Sequence, residues 1–191
     1  MPQSEAELET QLIQRLTGLG YEPVQIKNAQ DLTTNLKTQL EKHNQIQLSS
    51  KEFQKVLNHL DKGNIFERAK CLRNKMQLRR DDGSVTYLEF INMEHWCQNQ
   101  YQVTHQISQE GRYKNRYDVT LVINGLPLVQ IELKRRGLEL KEAFNQINRY
   151  QRHSFWADNA LFQYVQIFVI SNGVNTRYYA NNRKQSYKET C

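Results

Sequence analysis

The sequence predicts an α/β domain, a mixed central β-sheet flanked by helices. Two observations point there. Apolar residues recur every three to four positions through the first seventy residues, and from Met76 onward the period shortens to two. A third concerns order: one helical stretch returns between strand-like runs, which puts a helix on one face of a sheet with both parallel and antiparallel neighbours.

The first helix lies in SEAELETQLIQRLTGLGYE. Ser4 can cap it with Glu7 three residues on, Leu8, Leu12 and Leu16 form its apolar stripe, and Gly18 or Gly20 ends it. Residues 31 to 72 continue helical through Leu32, Leu36 and Leu40, then Phe53, Val56, Leu57 and Leu60, then Ile65, Phe66 and Ala69, with a stop near Gly63. MQLRR, the turn DDG and SVTYLEFI make a hairpin, and YQVTHQI makes a further half-buried strand. RYDVTLVINGLPLVQIEL forms a second hairpin. LELKEAFNQINRYQRHSF returns to helical spacing through Leu140, Ala143, Phe144, Ile147 and Tyr150. YVQIFVI and VNTRYYA are then strands joined at SNG, residues 171 to 173.

At 191 residues the chain is expected to be one domain. It has a helical part over about 4–72 and a sheet-helix core over about 76–181. The polar tail has no evident stop, so the chain is expected to be part of a longer one. Mean hydropathy is −0.79, no apolar run is long enough for a bilayer, and the acidic start MPQSEAELET is unlike a secretory leader. A cytoplasmic protein without membrane contact is expected. Cys71, Cys97 and Cys191 include no CxxC and leave an odd thiol, which suits a reducing compartment. His95 and Cys97 come nearest to a soft-metal pair, and the ordinary reading of such residues is packing. A net charge of +6 and a pI near 9.2 favour a polyanionic partner without specifying one.

The second hairpin carries the chemistry. Side chains alternate across a strand, and here parity sorts them. Val119, Leu121, Ile123, Val129, Ile131 and Leu133 are odd, whereas Asp118, Thr120, Gln130, Glu132 and Lys134 are even. A three-residue loop, Asn124-Gly125-Leu126, closing Ile123 against Pro127 would set Asp118 opposite Glu132, with Cβ atoms about 4.5–5.5 Å apart. A strict two-residue Asn-Gly turn would pair Asp118 with Ile131 and split the sorted faces, so the longer loop is expected. Carboxylates that close repel unless a cation lies between them. Mg²⁺ suits one or two carboxylates plus waters and a substrate phosphate. Lys134, on the same face, would orient a water nucleophile and stabilise developing phosphate charge. Gln146 and Tyr150 stand one helical turn apart on the following helix and can frame the same face. The plain alternative is an amphipathic hairpin with a wet polar face.

The array Asp118, Glu132-Leu133-Lys134 and Gln146-x-x-x-Tyr150 resembles the PD-(D/E)xK nuclease superfamily, in the subgroup with the QxxxY motif. NRYDVTLVINGLPLVQIELKRRG, EAFNQINRY and IFVISNGVNTRY resemble the N-terminal nuclease domain of the R (HsdR) subunit of type I restriction enzymes, close to type IC. The resemblance covers nearly the whole chain. It implies a restriction-endonuclease-like core and Mg²⁺-dependent hydrolysis of double-stranded DNA at sites this domain does not choose. It makes Asp118 and Glu132 metal ligands with the Leu133 backbone carbonyl, Lys134 the catalytic lysine, and Gln146 and Tyr150 a support for DNA or the lysine. A first-helix Glu often joins such sites; Glu9 fits best, and Glu5 shares its face. Lys134, Arg135, Arg136, Arg149 and Arg152 become candidate DNA contacts. Complete R subunits resemble ATP-driven translocases that work with a methyltransferase core of M and S subunits. No GxxxxGK[ST] occurs in these residues, so ATP is not expected to bind them. The rival reading is a catalytically silent DNA-binding or coupling module. Plainer still is a protein-interaction domain.

Overall fold

In a computed structural model the chain is described over residues 3–109, 115–153, 160–182 and 185–191, with the side chains of 109, 115, 150–153 and 160 outside that description. The helical start forms as the capping chemistry directs. Helix α1 spans Glu5–Gly18; the Ser4 side chain accepts from the Glu7 amide and the Glu7 side chain accepts from the Ser4 amide. After a two-residue strand β1 (Glu22–Pro23) come α2 (Ala29–Asn44), α3 (Ser50–Leu60) and α4 (Ile65–Arg73), each opened by an Asn or Ser cap. Leu32, Leu36, Leu40, Val56 and Leu60 are fully buried along these helices. Burial of that kind stabilises by about 1.5–3 kcal/mol per side chain.

Strands β2 (Met76–Arg79) and β3 (Val85–Leu88) form the first hairpin as a separate two-stranded sheet. The main sheet adds β4 (Tyr101–Gln109), β5 (Asn115–Ile123), β6 (Leu126–Leu133), β7 (Ile167–Ser171) and β8 (Thr176–Ala180), in the order β1-β4-β5-β6-β7-β8. β1 pairs parallel to β4 and β6 parallel to β7; the other neighbours are antiparallel, so the sheet is mixed. Helix α5 (Leu140–His153) carries the crossover from β6 to β7, as two parallel neighbours require. No helix among the described residues is long and apolar enough to cross a membrane.

Each face of the sheet has its own apolar cluster. α1 covers one face through Leu8, Leu12 and Leu16 against Val103, Val119, Ile131 and Leu133. The larger cluster lies on the other face, where α2, α3 and α5 pack with Tyr117, Phe162, Phe168 and Tyr179. The two faces meet their helices differently, and that difference positions the site.

The second hairpin departs from the expected loop. Ile123 pairs with Leu126 across a two-residue turn, Asn124-Gly125, with φ of 49° and 85°, the left-handed pair that Asn-Gly favours. The sorted faces survive because the register shifts inside the hairpin: Val122 pairs with Pro127, whereas Leu121 pairs with Val129. One extra residue on β6 is absorbed as a bulge. Pro127 has no amide to give the ladder, so this is where an irregularity costs least. Gly125 faces helix α2, where a Cβ would lie 2.5 Å from the Leu36 Cα.

Candidate active site

Below the bulge the register runs Leu121 to Val129, Thr120 to Gln130 and Val119 to Ile131. The pairing ends there, and Asp118 and Glu132, the next residues on the two strands, bring their carboxyls close enough for the Asp118 charge to act on Glu132, the approach expected from face sorting, reached by a different turn. The Leu133 amide donates to Asp118 Oδ2 at 2.8 Å. Lys134 follows directly, its Nζ 3.9 Å from Glu132 Oε1. From α5, Gln146 Nε2 donates to that same Oε1.

The polar face of this hairpin is not wet. Thr120, Gln130 and Glu132 are all fully buried, and Thr120 Oγ1 donates to Gln130 Oε1 at 2.7 Å. The solvated-hairpin alternative therefore fails. Polar alternation marks one face as polar, and here the larger helical layer covers that face.

Two helices on opposite faces of the sheet converge at this end of β6. α5 contributes Gln146. α1 contributes Glu5, whose Oε1 accepts from the Arg135 amide at 3.1 Å and lies 4.0 Å from Lys134 Nζ. Glu9 is more enclosed, its side chain 12% exposed against 46% for Glu5. His105 Nδ1 lies 2.9 Å from Glu9 Oε1, and Gln106 Nε2 donates to that oxygen at 3.0 Å. The sequence reading did not pick out His105 or Gln106. Gln106 sits in β4 with φ of 55°, a conformation uncommon for a residue with a side chain. The strand changes sides at this level, since Val103 and Val119 join the α1 cluster while Ile107 and Tyr117 join the larger one.

Burial and crowding push both acids up. Glu132 is raised first by loss of water and then by the neighbouring Asp118 charge, with Lys134 and Gln146 opposing. Asp118 is raised chiefly by burial, restrained by the Leu133 amide and Lys134, and pushed further by Glu9 and Glu5. Glu132 Oε2 is buried and has no hydrogen-bond partner among the described residues. A buried acid with one oxygen unsatisfied, beside a second acid, calls for a cation or a shared proton.

The donor set fits Mg²⁺, which takes hard oxygens and keeps most of its water when only one or two carboxylates hold it. Among the described residues no three His, Cys, Asp or Glu side chains form a metal cage. His95 and Cys97 are exposed around a short 3-10 turn, Trp96–Gln98.

Of the basic residues, Lys134 is largely enclosed, with a side chain 12% exposed. Arg135, Arg136 and Arg149 are exposed. Arg136 and Arg177 line an open cleft of about 1110 Å³ with Asn172, Asn175 and Tyr187. Tyr150 and Arg152 belong to α5, but their side chains lie outside the described residues.

Comparison with known proteins supplies context for this geometry. The family described as type I restriction enzyme R protein N terminus (HSDR_N) matches residues 2–187. Over 97% of its length the chain is 50% identical to the type I restriction enzyme SsaAORF53P endonuclease subunit of Staphylococcus saprophyticus. It is 48% identical to the SauMSSORF170P endonuclease subunit of Staphylococcus aureus. The EcoprrI endonuclease subunit of Escherichia coli is 41% identical over 96% of the chain and 60% of its own length. The chain spans about a fifth of the staphylococcal relatives, 20% of each.

Proposed function

Because the chain belongs to the family of type I restriction enzyme R protein N termini, we propose that it is the DNA-cutting domain of such an enzyme. On this reading it is a Mg²⁺-dependent endonuclease that hydrolyses backbone phosphodiesters of double-stranded DNA without choosing the sequence. The observation that carries the proposal is the pairing of half-buried Asp118 with fully buried Glu132, with Lys134 Nζ 3.9 Å from Glu132. An arrangement that desolvates two like charges is costly to fold and is characteristic of a reacting site.

Asp118, Glu132 and the Leu133 carbonyl would hold the ion, while Glu9, engaged by His105 and Gln106, adds negative charge beside Asp118 without joining that set. The bound ion supplies positive charge where the phosphate becomes more negative. The rest falls to the chain itself. Gln146 fixes the Glu132 carboxylate by donating to Oε1, and the Leu133 amide fixes Asp118. The Lys134 ammonium, restrained between Glu132 and Glu5, orients the attacking water by hydrogen bonding and offers charge to the phosphate. Tyr150, one turn beyond Gln146, supports the DNA strand or the lysine. Arg135, Arg136, Arg149 and Arg152 contact flanking phosphates, so binding should weaken steeply with salt.

ATP-driven translocation belongs to parts of the enzyme outside this chain, and site choice to the methyltransferase core of M and S subunits with which it would assemble. The three cysteines form no disulfide, which suits work in the reducing cytoplasm. The test is a complete restriction complex carrying Asp118→Ala. It should still assemble and translocate while DNA cleavage disappears. Cleavage at the wild-type rate would overturn the reading and leave a coupling module in its place.

A further inference from the structure

Three buried side-chain polar atoms have no hydrogen-bond partner among the described residues: Gln39 Oε1, Glu132 Oε2 and the Tyr179 hydroxyl. Two of them share one face of the sheet. Glu132 pairs with Ile170, which pairs with Arg177; Gln130 pairs with Phe168, which pairs with Tyr179. Residues directly opposite one another project to the same side. Tyr179 therefore rises beside Glu132 into the larger core, two strands across and two residues along, about 12 Å between Cα atoms. An extended Tyr and Glu can narrow that span to one intervening water, and the Glu132 charge is felt at the Tyr179 hydroxyl.

The Tyr179 ring is fixed from two sides. Phe144 lies at 5.1 Å and Phe168 at 5.4 Å between ring centroids, and Tyr179 is 3% exposed. Phe144 stands two residues before Gln146 on α5, so the helix that clamps this ring also carries the donor to Glu132 Oε1. Burial, and then the nearby Glu132 charge, raise the hydroxyl pKa, which keeps its proton available for donation. Leaving a buried hydroxyl unpaired is unfavourable, and metal-ligating carboxylates are commonly hydrogen-bonded in turn.

We propose that Tyr179 is a positioning residue for Glu132, its hydroxyl donating to Oε2 through one buried water, so that Gln146 and Tyr179 together set the angle at which the carboxylate meets a divalent ion. The inference rests on the proposed function, because it concerns the same carboxylate.

The experiment is a calorimetric titration of Mn²⁺ into the complete endonuclease subunit without nucleotide, comparing wild type, Tyr179→Phe and Asp118→Ala. Asp118→Ala identifies the site by removing it. Tyr179→Phe keeps the ring, and its circular dichroism should match wild type. Its Mn²⁺ affinity at the Asp118-dependent site should fall about tenfold. An unchanged affinity, with or without a change in unfolding temperature, would make the tyrosine merely structural and overturn the inference while leaving the proposed function standing. Absence of any Asp118-dependent Mn²⁺ site would overturn both.

Discussion

Asp118 Oδ2 accepts the amide hydrogen of Leu133 at 2.8 Å, tying the acid on β5 to the strand that carries Glu132. Shape and charge at this position are therefore separable. Asp118→Asn retains an oxygen that can take the amide, so the unfolding temperature should stay within about 2 °C of wild type. Cleavage by the complete enzyme should fall by a factor on the order of 10²–10³, the scale of losing one group aimed at developing charge. Asp118→Ala also loses the hydrogen bond and should cost a further ~1 kcal/mol. Plasmid cleavage and thermal unfolding of the two variants check the separation. An Asp118→Asn enzyme that cuts normally would show the charge to be unused.

Glu132 gives the opposite balance of stability and activity. It is fully buried beside another acid, and uncompensated charge in an interior is unfavourable for folding. Glu132→Gln keeps the acceptor for Gln146 and removes the charge. Without divalent metal this variant should be more stable than wild type by about 1–2 kcal/mol, some 2–6 °C in Tm. It should also lose cleavage and any stabilisation by added Mn²⁺. A variant less stable than wild type in the presence of chelator would show that Lys134 already compensates Glu132 in full.

How far the sequence carried these residues depends on the range of the physics involved. Ser4 and Glu7 were legible because a capping box is complete within four residues. The nearness of Asp118 and Glu132 was legible because period-two sorting is a local property of each strand. The turn was not, because Asn124-Gly125 prefers a two-residue loop while the sorted faces demand one residue more. Only the paired strands show both satisfied, through the bulge beside Pro127. The burial of Thr120 and Gln130 was likewise hidden, since alternation separates polar from apolar faces without saying which one a helix will cover. β1 is two residues long and pairs with a strand eighty positions away, too short to display a period. His105 and Gln106 meet Glu9 across 96 and 97 residues, a contact that only the folded sheet creates.

The turn yields a stability prediction independent of catalysis. Gly125 has φ of 85°, and a Cβ there would lie 2.5 Å from the Leu36 Cα on α2. Backbone cannot yield as a flexible side chain can. The neighbouring Asn124 is fully buried; it donates to the Phe90 carbonyl and Asn99 Oδ1, both at 2.8 Å, and accepts from the Gln100 amide at 2.7 Å. Gly125→Ala therefore combines left-handed strain with a collision against a helix. It should cost about 2–4 kcal/mol, or about 5–12 °C in Tm. Gly83 has a similar φ of 87° and open space around it, so Gly83→Ala should cost about 1 kcal/mol. Equal losses at the two glycines in thermal unfolding would mean that α2 does not press on the turn.

The acid limb of stability should depend on Glu52. This residue, 2% exposed at the start of α3, accepts from the Ser49 amide at 2.9 Å, Arg80 Nε at 2.7 Å and the Asp81 amide at 3.0 Å. The Ser49 amide most strongly, then Arg80 and the Asp81 amide, hold its pKa down at about 2. In the unfolded chain the same carboxyl titrates near the ordinary value of about 4.3. A depressed folded-state pKa stabilises above the unfolded value, and that stabilisation is lost as pH falls from about 4.3 through about 2. Glu52→Gln cannot ionise and should lower Tm at pH 7 by about 3–6 °C. The gap between variant and wild type should then narrow steadily between pH 4.5 and 2. Unfolding curves that stay parallel across that window would show that Glu52 contributes through packing and not through its charge.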